Sequence, residues 1–189
     1  MNIVEKIKQE LMNLVNKNQE KLGYNIWEVH VKSVVKNAVL LAKKCGADEE
    51  IVELAALLHD IARAALEGPN DEHHIYGAKI AVEMLTKYNY PQARIKRVRD
   101  CVLNHQAGAE FSRNTIEEEC VADADALSHF EDIPGMFYLA YIRKGLSVAE
   151  GTEFVREKLK GDYLKLSEIS KKEFKKKYEN VISTVFVDK

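Results

Sequence analysis

Apolar residues recur every three or four positions along almost the whole of this chain, and that spacing is the period of an α-helix. The first apolar stripe runs from Val4 to Leu14, and a second runs from Trp27 to Ala42. Only three prolines and nine glycines occur in 189 residues, so few positions can end a helix. These features predict an all-α fold.

The net charge and the length of the apolar runs indicate which kinds of partner the chain could bind. Charged residues make up 31% of the sequence, yet the formal net charge is −2, which gives no overall basic field for nucleic acid or an anionic membrane. The longest apolar runs are well short of the roughly 20 residues that cross a bilayer. Three widely spaced cysteines form no disulfide or metal-binding pattern. We therefore expect a cytoplasmic protein without a nucleic-acid polymer or a membrane as partner.

The most apolar segment of the chain carries two polar residues in its middle. The run LAALLHDIARAA belongs to a predicted central helix over 49–65 that is apolar on almost every side, and the run includes His59 and Asp60. A buried polar group without a partner costs roughly 2–7 kcal/mol. The two residues therefore need partners from neighbouring elements.

Other histidines and aspartates also lie on apolar faces of predicted helices. His30 is in register with the stripe that begins at Trp27, and His105 is in register with the stripe of its own helix. Asp123 and Asp125 lie in the mostly apolar stretch CVADADALSHF. A histidine taken alone is more often a hydrogen-bonded core residue than a ligand. As a set, however, imidazoles and carboxylates suit Mn, Fe, Co, Ni or Zn, so a divalent cation could satisfy these residues together.

The spacing of these residues resembles the signature of the HD-domain superfamily of metal-dependent phosphohydrolases. The residues that carry the resemblance are His30, His59, Asp60 and Asp125, within WEVHVKSVVKNAVLLA, LAALLHDIAR and VADADALSHF. The resemblance covers residues 26–130. It implies one helical-bundle HD domain over 1–189, with flanking helices at 1–22 and 134–189.

The resemblance implies that those four residues bind one divalent ion, which could be Mn, Fe, Ni, Co, Mg or Zn. Members of the superfamily with a second ion add histidines from the next two helices. In this chain those histidines would be His73 or His74, and then His105. We favour His73, which lies four residues before Gly77 as in many relatives. We expect the other member of the adjacent pair to be a solvated loop residue.

The family pattern and the apolar stripe disagree within CVADADALSHF. The pattern D-x-L places the ligand at Asp125, whereas the stripe Ile116–Cys120–Leu127 turns Asp123 closer to the core. The two aspartates lie about 200° apart on a helix, so both cannot bind one ion. We follow the family pattern and predict Asp125, with Asp123 as the alternative.

The resemblance also implies hydrolysis of a phosphoester, often in a nucleotide. The predicted catalytic residues are Asp60, which could orient a water, and His73 or His105, which could supply a proton to the leaving group. The guanidinium of Arg63 could bind a phosphate, although an ordinary ion pair would explain it equally well. Arg113 is a weaker phosphate candidate, in a segment (QAGAEFSRN) that could cover the substrate.

Three classes of function follow from these residues. The first is a metal-dependent phosphohydrolase acting on a small phosphoester, with a nucleotide as the first candidate substrate. The second is a regulatory module that binds metal and nucleotide without turnover. The third is a di-iron oxygenase of the HD fold, which requires His73 (or His74) and His105 as ligands. Aromatic residues such as Phe137 and Tyr138 would fit either a homodimer contact or an ordinary packed helix.

Overall fold

The structure is a computed structural model that describes residues 1–106 and 113–186. Helices are the regular elements throughout this part of the chain, which confirms the predicted all-α fold. The ten α-helices of the described residues are α1 Ile3–Leu22, α2 Lys32–Cys45, α3 Glu49–Leu58, α4 Ile61–Ala65, α5 His73–Lys87, α6 Gln92–Asn104, α7 Ile116–His129, α8 Ile133–Tyr138, α9 Val148–Lys165 and α10 Glu168–Val185. Two π-helices, Trp27–Val31 and Leu139–Arg143, and a 3-10 helix, Asn70–Glu72, complete the order.

The chain divides into two compact units, Met1–Asp125 and Ala126–Lys189. The interpretation as one domain with a core at 26–130 stays a prediction. Within the described residues, no helix combines the length and the apolar character needed to cross a membrane. Residues 107–112, most of the segment that we expect to cover the substrate, lie outside the described residues.

Helix α3 is the centre of the first unit, because it packs against α1, α2, α5 and α6. Its apolar residues point in every direction and are buried all the same: Ile51, Val52, Leu54, Ala55, Ala56, Leu57 and Leu58. Burial of each leucine or isoleucine side chain stabilises the fold by about 1.5–3 kcal/mol. This packing explains why the second half of α3, from Leu54 to Leu58, carries no charged residue, whereas Glu49, Glu50 and Glu53 lie in its first half.

The prediction of one continuous helix over 49–65 is wrong, because the chain leaves the helical conformation at Asp60, directly after His59. Helix α3 ends at Leu58 and α4 begins at Ile61. Asp60 has φ −107° and ψ 21°, the sparsely populated bridge region in which active-site residues are often found. A regular helix would turn the two side chains about 100° apart, and the break changes their relative direction. The dipeptide therefore lies at a junction between two helices.

His30 also lies on a departure from regular α-helix. Residues Trp27–Val31 form a π-helix that leads directly into α2. The wider π turn changes the direction of a side chain relative to the helix that follows, and such turns are frequent at functional sites. Trp27 and Val31 are buried, which fixes the segment against the core while His30 remains 16% exposed.

Gly77 allows α5 to approach the junction closely. A Cβ added at Gly77 would lie 3.3 Å from the main-chain oxygen of His59 and 3.4 Å from Cγ1 of Val102. Such distances leave room for a methyl group only if a neighbour shifts slightly. A larger side chain would push α5 away from the residues between α3 and α4.

The second unit has its own apolar core. Its buried members are Phe130, Met136, Ala140, Val155, Leu159 and Phe186. Phe137 stacks on Tyr141 with ring centroids 5.5 Å apart, and both pack against this core. Tyr138 is 38% exposed. Packing thus accounts for Phe137, and the homodimer stays a prediction.

The start of α3 is held by an ion-pair network on Asp48. Asp48 is the N-cap residue, and its carboxylate accepts a hydrogen bond from the main-chain N–H of Ile51 at 3.3 Å. Both terminal nitrogens of Arg94 donate to the two carboxylate oxygens at 2.9 and 3.0 Å, and Arg97 donates at 3.1 Å. Burial alone would raise the pKa of Asp48, but these hydrogen bonds lower it below its ordinary value.

We predict that Asp48→Ala destabilises the protein by about 1–2 kcal/mol, because it removes both the helix cap and the arginine pairs. Asp48→Asn should cost less, because asparagine caps a helix as well as aspartate does. Since the pKa of Asp48 is lowered on folding, the charge-dependent part is present above about pH 4 and is lost as pH falls below it. Urea unfolding of both variants at pH 7 and pH 3.5 tests this, and equal losses at both pH values would contradict it.

We predict that Gly77→Val lowers the melting temperature by several degrees, because the branched side chain meets the His59 carbonyl and Val102. Gly77→Ala should have a much smaller effect, since the gain in helix propensity of about 1 kcal/mol offsets a slight shift. Gly161→Val is the matched control, because a Cβ at Gly161 in α9 has no heavy atom within 4 Å. Equal losses for the two valine variants would show that close approach at Gly77 is unimportant.

Candidate metal centre

All six residues predicted to bind metal lie together in the first unit. The elements that carry them are the first π-helix for His30, the junction between α3 and α4 for His59 and Asp60, the start of α5 for His73, the residue after α6 for His105, and α7 for Asp125. They form two groups that share Asp60.

The first group joins His30, His59, Asp60 and Asp125. Nε2 of His30 lies 3.0 Å from Nε2 of His59, 3.2 Å from Oδ1 of Asp125 and 3.5 Å from Oδ2 of Asp60. Nε2 of His59 lies 3.8 Å from the same oxygen of Asp60 and 3.9 Å from that of Asp125. The ligand atoms of His30, His59 and Asp60 thus lie within 4.8 Å of one another, and Asp125 joins them through its contacts with the two histidines.

The second group joins His73, His105 and the other oxygen of Asp60. Nε2 of His73 lies 3.2 Å from Nε2 of His105 and 3.3 Å from Oδ1 of Asp60. Nε2 of His105 lies 4.0 Å from Oδ1 of Asp60. Asp60 thus directs one oxygen towards each group, an arrangement that a carboxylate bridging two cations would also have.

Main-chain carbonyl groups fix the tautomers of three histidines. Nδ1 of His59 lies 2.7 Å from the carbonyl oxygen of Ala56, three residues earlier. His73 makes the same contact with Asn70 at 2.7 Å, and His105 makes it with Val102 at 2.6 Å. A carbonyl oxygen only accepts, so Nδ1 carries the proton and donates it in each case. The Nε2 atoms that face the site therefore present lone pairs.

The lone pairs of the Nε2 atoms indicate whether a cation fits this cluster. His73 and His105 direct unprotonated Nε2 atoms at each other across 3.2 Å, and neither can donate to the other in these tautomers. Buried acceptors that face each other are costly unless a donor or a cation lies between them. In the first group, the carboxylates of Asp60 and Asp125 lie beside the imidazoles of His30 and His59 and add negative charge there. This donor set of imidazole nitrogens and carboxylate oxygens fits a divalent transition ion.

Burial and neighbouring charges shift the pKa values of these residues. Burial lowers the pKa of His73 and of His105 to about 4, although the charge of Asp60 acts in the opposite direction. Burial also lowers the pKa of His59. His30 is the exception among the four: burial alone would lower its pKa, but the hydrogen bond to Asp125 and the charges of Asp125 and Asp60 together raise it.

Asp60 stays charged although it is only 4% exposed. Burial alone would raise its pKa, but the positive charge of Arg63 and the surrounding histidines lower it well below its usual range. Nε of Arg63 lies 3.2 Å from Oδ1 of Asp60. The side chain of Arg63 is 32% exposed, so the guanidinium is at the site and still reachable from solvent.

The structure brings together His73 rather than His74 with the other site residues. The expectation that the second histidine is a solvated loop residue is wrong, because His74 lies in the first turn of α5 and is 6% exposed. Its ring contacts that of His73 edge to face, with centroids 5.7 Å apart. The apolar pattern of the α5 sequence begins only at Ile75, so sequence reasoning did not place His73 and His74 in the helix.

The two aspartates of α7 contact different partners. Asp125 contacts His30, whereas Asp123 is buried elsewhere and pairs with Arg113, with Nη1 at 3.0 Å from Oδ1. The apolar stripe correctly predicted the burial of Asp123, which is 2% exposed, and the choice of Asp125 as the ligand stays a prediction. Arg113 has a carboxylate partner in the fold, and its role as a phosphate ligand stays a prediction.

The carbonyl groups of Ala56, Asn70 and Val102 are site components that sequence reasoning missed. A main-chain group carries no side-chain signal. The one usable sign is position: each histidine lies at or next to a helix end, where a carbonyl three residues earlier is available to its ring.

Comparison with known proteins places this geometry in a family. The model of the HD domain matches residues 28–129, which is more than half of the chain. Two solved structures share the fold: the crystal structure of YpgQ from Bacillus subtilis (TM-score 0.72, 17% identity, 97% of this chain and 91% of that chain) and a predicted HD superfamily hydrolase from an uncultured Thermotogales bacterium (TM-score 0.58, 22% identity, 98% and 95%).

Curated relatives match over shorter parts. Ribonuclease Y of Alkaliphilus metalliredigens is 32% identical over 123 residues, 63% of this chain and 23% of that protein. Ribonuclease Y of Campylobacter concisus is 29% identical over 126 residues, 66% and 22%. The tRNA (cytidine(56)-2'-O)-methyltransferase of Thermoplasma volcanium is 49% identical over 51 residues, 27% and 14%. The chain spans less than a quarter of the length of these relatives. Because the family model covers most of the chain, the protein belongs to the HD domain family.

Proposed function

We propose that the protein is a divalent-metal-dependent phosphohydrolase that acts on a small phosphoester, with a nucleotide as the first candidate substrate. The observation that supports this most is the convergence of His30, His59, Asp60 and Asp125, with His73 and His105 on the far side of Asp60. Membership of the HD domain family and the likeness to a predicted HD superfamily hydrolase support the same reaction class.

The first group would hold the ion. It offers two imidazole nitrogens and two carboxylate oxygens, whereas the second group offers two imidazoles and one oxygen of the shared carboxylate. When bound, a divalent ion supplies polarisation of a phosphoryl oxygen and makes a nearby water more acidic. His30 and Asp125 are 16% and 19% exposed, so this group is the part of the cluster that a substrate can reach.

The residues beside this group have roles that follow from their hydrogen bonds. Asp60 directs one oxygen at each group and can orient a water that attacks phosphorus. The tautomers of His73 and His105 make Nε2 an acceptor in each, which favours a role in orienting or deprotonating water over that of a proton donor. The half-exposed guanidinium of Arg63 can bind a phosphate oxygen with its remaining N–H groups.

Two relatives named ribonuclease Y raise a polymer as the other form of the substrate. Their bond is a phosphodiester, so the same residues would serve. The net charge of −2 and the salt bridges that occupy Arg94, Arg97 and Arg99 of helix α6 favour a small substrate, because a polymer needs a basic surface. Short RNA therefore belongs in the assay panel.

We predict that Mn²⁺ at about 100 times its dissociation constant stabilises the folded protein by about 2.7 kcal/mol and raises the melting temperature by several degrees. Asp125→Asn should lose most of this rise, because it removes one carboxylate of the first group. Asp123→Asn, two residues away on α7, is the matched control and should keep it. Calorimetry with and without EDTA measures the difference. If both variants keep the full rise, Asp125 is not a ligand.

We predict release of phosphate from at least one member of a panel of nucleoside mono-, di- and triphosphates, p-nitrophenyl phosphate and short RNA, in the presence of Mn²⁺, Co²⁺, Ni²⁺, Mg²⁺ or Fe²⁺. Asp60→Asn should reduce turnover by about 100-fold or more, because Asp60 belongs to both groups. For RNA, gel analysis replaces phosphate detection.

Asp123→Asn serves as the control in this assay too. Metal-dependent stabilisation without turnover of any substrate would favour the regulatory module. Turnover that survives Asp60→Asn unchanged would place the chemistry elsewhere in the protein.

A further inference from the structure

The group formed by His73, His105 and Oδ1 of Asp60 has the ligands of a second cation site, yet a charged residue already contacts it. Nε of Arg63 lies 3.2 Å from Oδ1 of Asp60, the same oxygen that faces His73 at 3.3 Å. Nη2 of Arg63 lies 3.4 Å from each ring nitrogen of His73. The guanidinium therefore contacts two of the three potential ligands of a second ion.

The local backbone holds Arg63 in this place. It is the third residue after Asp60, the N-cap residue of α4, so the two side chains lie close together at the start of that helix. The carbonyl oxygen of Ala64 in the same helix accepts a hydrogen bond at 2.9 Å from Asn18, a buried residue of α1. The helix that carries Arg63 is thus fixed to the core, and the guanidinium cannot leave Asp60 by a shift of the helix alone.

The two groups differ in the charged residues that surround them. The first group has two carboxylates and two imidazoles, and Oδ1 of Asp125 lies 3.2 Å from Nε2 of His30. The second group has one oxygen of a shared carboxylate, two neutral imidazoles and a guanidinium in contact. A positive charge within 4 Å repels a divalent cation strongly in a buried setting. The first group accordingly favours an ion, and the second does not.

We propose that Arg63 takes the place of a second divalent ion, so that this protein binds one ion per chain and uses the guanidinium as the positive charge on the His73 side of Asp60. This inference rests on the metal centre of the proposed function and goes beyond it by fixing the number of ions. It also excludes the di-iron oxygenase for this chain, because that chemistry needs ions in both groups.

The experiment is metal stoichiometry in the absence of substrate. The full chain is stripped with EDTA, titrated with Mn²⁺ in a calorimeter, and examined by electron paramagnetic resonance, which distinguishes an isolated Mn²⁺ from a coupled pair. Wild type is expected to bind one ion with the spectrum of an isolated Mn²⁺. Arg63→Gln is expected to bind two with the spectrum of a coupled pair, because the oxygen of Asp60 and the ring of His73 become available.

Three further variants show that the charge at this position is responsible. Arg63→Lys keeps a positive charge and should stay at one ion. Arg63→Gln combined with His105→Ala lacks a ligand of the second group and should return to one ion. Arg99→Gln removes a guanidinium that pairs with Asp100 on α6, and it should also stay at one. Circular dichroism of each variant checks that it is folded.

The outcomes distinguish this inference from the proposed function. Two ions in wild type, or one ion in folded Arg63→Gln, would overturn the role of Arg63 and leave the metal centre standing. No ion in wild type would overturn both. One ion in wild type with two in Arg63→Gln, lost again in the double variant, is the result that the inference requires.

Discussion

The buried charge of Asp60 is the constraint on which the rest of the site depends. A carboxylate that is 4% exposed can stay ionised only if positive charge or donors surround it, since burial alone would raise its pKa. In the protein without metal, Arg63 is the permanent positive charge in contact with it, and His30 and His73 lie within 3.5 Å. These three residues reach Asp60 from different elements. Arg63 lies in α4 just past the α3–α4 junction, His30 lies in the first π-helix, and His73 begins α5. The contacts of the site thus keep the carboxylate of Asp60 ionised inside an apolar unit.

Residue types and spacing were enough to predict which side chains meet, because the helical stripes reveal polar residues where apolar ones are expected. His30 and His105 interrupt such stripes, and both reach the cluster. Thr115 and Ser147 likewise indicate helix starts through side-chain capping, and α7 and α9 begin at the next residue in each case. These features depend on local sequence, which is why they could be read before the fold was known.

The conformation of Asp60 could not be predicted in the same way, because it depends on packing from distant parts of the chain. The run LAALLHDIARAA has no proline or glycine, so its local preference is helical throughout. The break occurs where α5 approaches the main-chain oxygen of His59 through Gly77, a residue 18 positions later. His74 shows the converse case: a residue assigned to a loop becomes helical and buried because α5 begins earlier than its apolar pattern. Tertiary contacts decided both outcomes.

Stability and site geometry are located at opposite ends of α3. The helix has ten residues and is about 15 Å long, with Asp48 and its arginine partners at the start and His59 just past the end. The two carboxylates beside His30 and His59 and a bridge-region residue make the His59 end costly in the absence of a cation, whereas the Asp48 end gains a cap and two ion pairs. A bound ion would remove that cost only in the folded state, so metal binding and folding are linked. The cap and ion pairs of Asp48 therefore stabilise the folded chain, and with it the arrangement of the site residues, before an ion binds.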